Sequence, residues 1–150
     1  MKRALIGAAV LAAGATVVLA QAAVSPAIKE RKDLMKSVGA AAKEPGAMAR
    51  GEAAFDLAKV QASLKVYAEA TKKLPDLYPD NSKSGGDTAA LPAIWEKKAE
   101  FVAIYAKLNK DAQAAATAIK DEASFKAEWP KVMGNCGTCH KAFKADPPKK

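Results

Sequence analysis

Apolar residues recur every three or four positions along four stretches of the chain, and Pro, Gly, Asn and Asp collect between them. That period matches one face of an α-helix. The first stretch runs from about Ser25 to Lys43. Ile28, Arg31, Met35, Val38 and Ala42 share its face, widened by Leu34 and Ala41. Ser25 offers an N-cap with Pro26 at the first helical position, and Glu44-Pro45-Gly46 ends the run. The second stretch spans about Arg50 to Leu74, where Ala53, Leu57, Val60, Leu64, Tyr67, Thr71 and Leu74 form a heptad-like stripe closed by Pro75.

Residues 75–92, PDLYPDNSKSGGDTAALP, carry prolines, glycines and Asx residues and predict a loop. It is long for a compact domain, a length that often has a packing or functional role. Leu77 and Tyr78 are its candidates for pinning it to the body. A third helix is predicted from Pro92 to about Lys120, with Ile94, Phe101, Tyr105, Leu108, Ala112, Ala115 and Ile119 in register, Lys98 as the polar exception, and Trp95 and Val102 thickening the face. The fourth runs from Ser124, a candidate cap, to Lys144. Its apolar face is Phe125, Trp129, Val132, Cys136, Cys139 and Phe143. Pro130 falls inside and predicts either a kink or the true start. No stretch alternates with period two. The expected fold is therefore all-α, an antiparallel up-down-up-down four-helix bundle.

A length of 150 residues suits one domain. MKR followed by LIGAAVLAAGATVVLA reads as a secretory signal peptide over residues 1–22, leaving a helical domain over residues 23–150. Cleavage after Ala20 is the alternative to cleavage after Ala22, and a retained membrane anchor is the alternative to both. Export implies a bacterial periplasm. Loss of Lys2 and Arg3 would take the formal charge from +8 to +6. Such a surface favours acidic partners. Nothing resembles an aromatic-plus-basic nucleic-acid motif, and no membrane insertion is expected once the leader is gone.

Both cysteines and the only histidine lie in NCGTCH, residues 135–140. A dithiol redox site would want a strand before the motif and a helix after it. Structural zinc would want a second pair of ligands. A disulfide between Cys136 and Cys139 would strain a helix and leave His140 unexplained. C-x-x-C-H is instead the attachment signature of covalent haem. On a helix, positions i, i+3 and i+4 share a face. Cys136 and Cys139 can then form thioethers with the two vinyl groups of one porphyrin while His140 reaches the iron as proximal ligand. Aromatics make up only 6% of the chain. A large flat cofactor would fill the volume that alanine-rich helices leave.

With C-x-x-C-H on the last of four helices, in GNCGTCHKAFK, the chain resembles the class II cytochromes c, the cytochrome c-prime family. The resemblance runs from about Ala23 to Ala145. ERKDLMK adds a second marker: Arg31, and four residues later Met35, at the position that in this family faces the distal side of the iron. KLPDLYPD and PAIWEKKAEF look most like the low-spin cytochrome c-556 type. There a Met ligates at that position; in five-coordinate members an apolar residue stands there and leaves the sixth site open. The resemblance thus implies His140 and Met35 as axial ligands, Arg31 as a propionate contact, and Lys144 where the family often has a propionate-binding Arg. Met48 and Met133 are poorer ligand candidates, the one between helices and the other on the haem helix itself. The implied protein carries one haem c with its iron and shuttles one electron without catalysing a reaction. Binding of nitric oxide or carbon monoxide at an open site is the alternative. Lys131, Lys141, Lys149 and Lys150 are candidates to ring the haem edge and steer an acidic redox partner. A homodimer through the first two helices is a further expectation of the family.

Overall fold

A computed structural model describes residues 25–146; the expected leader and Lys149 and Lys150 lie outside them. Four long helices dominate: α1 (Pro26–Ala41), α3 (Leu57–Lys73), α5 (Lys98–Ala118) and α6 (Glu122–Phe143). Two short helices join them, α2 (Lys43–Ala49) and α4 (Ala93–Glu96). Among the described residues there are no strands, only one isolated antiparallel bridge, Ala90 to Lys144. No helix among them is long and apolar enough to cross a membrane. Packing runs α1 on α3, α3 on α5 and α5 on α6. Cross-helix hydrogen bonds fix the antiparallel sense. Gln61 donates to the Ala116 carbonyl at 2.9 Å, and Asn109 donates to the Ala68 carbonyl at 2.8 Å.

The helix ends move where local chemistry outweighs periodicity. Ala53 fits the heptad spacing, yet it is exposed and precedes α3. Gly51, at φ 76°, turns the chain, and the Asp56 side chain accepts from the Lys59 amide at 3.1 Å to start the helix there. The third predicted helix breaks at Lys97. The break leaves Trp95 facing the 75–92 loop, where its indole N–H donates to the Tyr78 carbonyl at 3.0 Å. The fourth starts at Glu122 because Asp121 and Ser124 form a reciprocal capping box. Ser124 is thus the third helical residue and not the cap. Pro130 lies inside α6 without ending it; it forfeits one backbone donor. Val102 is 37% exposed and does not belong to the core face. Met48 is on α2, buried in the core.

Two apolar clusters form the interior. One centres on Val60, Leu64, Phe125 and Trp129. The other gathers Leu74, Ile94, Phe101, Tyr105 and Phe143, with Phe101 edge-on to Tyr105 at 5.0 Å and to Phe143 at 5.2 Å. Residues of both clusters line a cavity.

Candidate functional site

The cavity has a volume of about 510 Å³, within the roughly 300–1,000 Å³ usual for cofactor pockets. α6 contributes Cys136, Cys139 and His140, on one face at i, i+3 and i+4. α1 contributes Arg31, Met35, Val38 and Gly39, and Ala42 follows from its C-cap. Tyr67 comes from α3, and Phe101, Ile104, Tyr105 and Leu108 come from α5. The loop closes one side with Tyr78, Thr88, Ala89 and Ala90, and Lys144 stands at the end of α6. All six residues singled out from sequence, Arg31, Met35, Cys136, Cys139, His140 and Lys144, therefore border a single space.

Three observations show that this lining fits a large apolar cofactor. Met35, Cys136 and Cys139 are half-buried, and His140 is exposed on the cavity wall, although their helices are otherwise well packed. A Cβ built on Gly39 would meet nothing within 4 Å, so α1 is hollowed one turn beyond Met35. The Tyr67 hydroxyl lacks a hydrogen-bond partner, alone among the buried side-chain polar atoms of the described residues. A buried unpaired hydroxyl is costly, and its presence on the cavity wall marks a space that another group completes.

The thiols are not tuned for redox exchange. Burial raises the Cys136 thiol above its ordinary value, and Cys139 is pushed up to about 11, first by burial and then by Cys136. Reactive dithiols show the opposite, a lowered pKa. Both cysteines are free. Desolvation, and secondarily the charge of Lys144, hold His140 below the ordinary imidazole value. The ring is then neutral near pH 7, with a nitrogen lone pair available to a metal. Among the described residues, no cluster of three or more His, Cys, Asp or Glu side chains is placed to hold a bare metal ion.

Arg31 is more enclosed than its sequence position suggests. It is 3% exposed, and its two terminal nitrogens are fully engaged. Nη1 donates to the Leu77 carbonyl at 3.0 Å and to Ser82 Oγ at 2.8 Å. Nη2 donates to the Ser82 carbonyl at 2.9 Å and to Thr88 Oγ1 at 2.7 Å. The guanidinium also stacks 4.6 Å from the Tyr78 ring centre. Of the lysines expected around the haem edge, Lys131 pairs with Glu128 at 2.7 Å, and neither it nor Lys141 borders the cavity. Lys32 and Lys36 of α1 do. Periodicity marked Tyr67 and Tyr105 only as buried positions. Asn135, buried just before Cys136, donates to Asp111 at 2.7 Å and ties α6 to α5. No sequence signal pointed to that pairing, because Asp111 lies 24 residues away.

The family profile described as Cytochrome C' matches residues 26–144. The chain is 54% identical over 118 residues to a cytochrome c' of Rhodopseudomonas palustris, covering 79% of this chain and 81% of that protein. It is 35% identical to a cytochrome c-556 of Agrobacterium fabrum, covering 78% and 80%. Solved structures agree. Cytochrome c' of Rhodopseudomonas palustris superposes with a TM-score of 0.80 at 52% identity, over 81% of this chain and 98% of that one. The oxidized cytochrome c556 of the same organism superposes with 0.76 at 32%, over 82% and 98%. A four-helix bundle, a C-x-x-C-H face on its last helix and a largely apolar cavity against that face thus converge: the chain belongs to the cytochrome c' family, the class II cytochromes c, whose cofactor is a covalently attached haem c with its iron.

Proposed function

We propose that the protein is a periplasmic one-electron carrier with low-spin iron held between His140 and Met35. The observation that carries this reading is that Met35, on α1, borders the same cavity as the C-x-x-C-H face of α6. Haem iron supplies a one-electron couple when bound. The chain supplies the rest. Cys136 and Cys139 anchor the porphyrin as thioethers. His140 presents a neutral imidazole, and the Met35 thioether is a soft ligand that raises the potential. With both residues bound to the iron, reorganisation between oxidation states would be small. Phe101, Tyr105 and Leu108 bury their side of the cavity and would keep water from a group held there. Arg31 and Lys144 neutralise propionates, Arg31 through its Nε–H, since its other four donors serve the loop. Lysines at the mouth steer an acidic redox partner. The protein catalyses no reaction of its own, is exported after loss of residues 1–22, and pairs with a second copy through its first two helices.

A second reading, binding of nitric oxide or carbon monoxide at an open sixth site, draws support from the 54% identity to a protein named cytochrome c'. An absorption spectrum separates the two. The carrier has a low-spin c-type spectrum in both oxidation states that changes little under carbon monoxide. Met35→Leu is expected to convert it to a high-spin form that binds the gas readily. A wild-type protein that is already high-spin and shifts with carbon monoxide sinks the carrier reading.

A further inference from the structure

α1 and α6, which carry Met35 and His140, each pack mainly on other helices and meet only through side chains of the shared apolar clusters. α1 packs on α3, on α2 and on the turn at Leu74–Leu77, while α6 packs on α5; both border the cavity. One segment is fastened to both. Arg31, one turn before Met35, grips Leu77, Ser82 and Thr88 through four hydrogen bonds of 2.7–3.0 Å. Around Lys144, one turn after His140, the Leu91 amide donates to the Phe143 carbonyl at 3.0 Å and the Ala145 amide to the Ala89 carbonyl at 2.8 Å.

The two fastenings are close along the chain. Thr88, held by α1, is one residue from Ala89 and three from Leu91, held by α6. At about 3.4 Å per extended residue, that tether is too short to let the helices drift apart. It is also stiff. Thr88 Oγ1 accepts from the Ala90 amide at 3.2 Å as well as from Arg31. Ser82 is fully buried, and its hydroxyl donates to the Pro79 carbonyl at 2.8 Å while accepting from Arg31.

The chemistry of the grip is unusual for a mere loop fastener. None of the four acceptors is a carboxylate, so a buried cation is held by neutral oxygens alone. A planar fork delivers these four bonds from two nitrogens, whereas a lysine ammonium has three donors on one atom and cannot supply them all.

We infer that Arg31 and the Ser82–Leu91 segment form a strap across the cavity mouth that fixes the spacing of α1 from α6, making Arg31 a positioning residue for the sixth ligand. The inference rests on Met35 ligation as proposed above. Thr88→Val keeps the volume, the Arg31 charge and every axial and thioether residue, and removes one fastening. Ser82→Ala removes another and serves if Thr88→Val does not load haem. The haem-loaded protein is compared with each variant by ferric absorption spectrum, carbon monoxide association rate and trypsin cleavage at Lys83.

In each variant the high-spin fraction rises and carbon monoxide binds about tenfold faster, the worth of one hydrogen bond to a charged group. In a Met35→Leu background the same changes leave the spin state where Met35→Leu put it, because nothing remains to be positioned. Faster cleavage at Lys83 with an unchanged spectrum and gas rate makes the strap structural only and overturns the inference while Met35 ligation stands. A wild-type protein that is already high-spin removes Met35 ligation and the strap's role together.

Discussion

At the residue scale, the chain places one unsatisfied group where its cofactor goes. Tyr67 is 1% exposed, its ring packs 6.0 Å from Trp129, and its hydroxyl has no partner. Burial, with a smaller contribution from Cys136, pushes that phenol far above its ordinary value, so it is a donor at any physiological pH. Once Cys136 is a thioether its sulfur can only accept. In the loaded protein, Tyr67→Phe is therefore expected to lower the unfolding free energy by about 1 kcal/mol, the net value of a neutral hydrogen bond. Chemical denaturation followed through the haem spectrum measures this, and an unchanged midpoint would leave the hydroxyl without an acceptor even there. Met35 illustrates the other side of residue-scale reading. Its spacing from Arg31 was visible in the sequence, but a methionine on a helical stripe is ordinarily core filling. It stands half-buried on the cavity wall, with open space at Gly39 one turn beyond it.

At the element scale, α6 is the helix that must not shift, because Cys136, Cys139 and His140 all ride on its cavity face. The Asp121–Ser124 capping box fixes its start. The Asn135–Asp111 bond fixes its height against α5 immediately before Cys136. Asn135→Ala should cost about 1.5 kcal/mol, as for hydrogen bonds to a charged group, read as a lower denaturation midpoint. The tether also gives acid sensitivity. The bond from Lys107, and to a lesser degree that from Asn135, hold the Asp111 carboxyl below the ordinary range, with burial opposing. A carboxyl with a depressed folded pKa stabilises the fold above its unfolded value of about 3.9 and loses that contribution as pH falls through the folded value. Wild-type stability should therefore fall more steeply below about pH 4 than that of Asp111→Asn. Equal slopes in denaturant titrations at several pH values would remove this role.

At the scale of the whole molecule, positive charge gathers at the cavity mouth on Lys32, Lys36 and Lys144. Association with an acidic redox partner should slow as ionic strength rises, and Lys32→Gln with Lys36→Gln should flatten that dependence. Stopped-flow electron transfer at several salt concentrations tests it; a slope indifferent to both lysines would move the docking face elsewhere. A basic cluster of this composition was not legible from the run of lysines near the haem motif. Proximity along the chain pointed to Lys131 and Lys141, whereas the fold brings α1 lysines to the mouth from more than a hundred residues away. Four helical stripes and the i, i+3, i+4 geometry of Cys136, Cys139 and His140 needed no folding to be read. Periodicity and helix pitch are local properties, and they specified a haem-bearing all-α bundle. Separation in space is not local. That Arg31 spends four donors on the loop, that Thr88 and Leu91 join α1 to α6, and that Tyr67 is left unpaired beside Cys136 all depend on contacts between residues far apart in the chain, which come into being only when the helices pack.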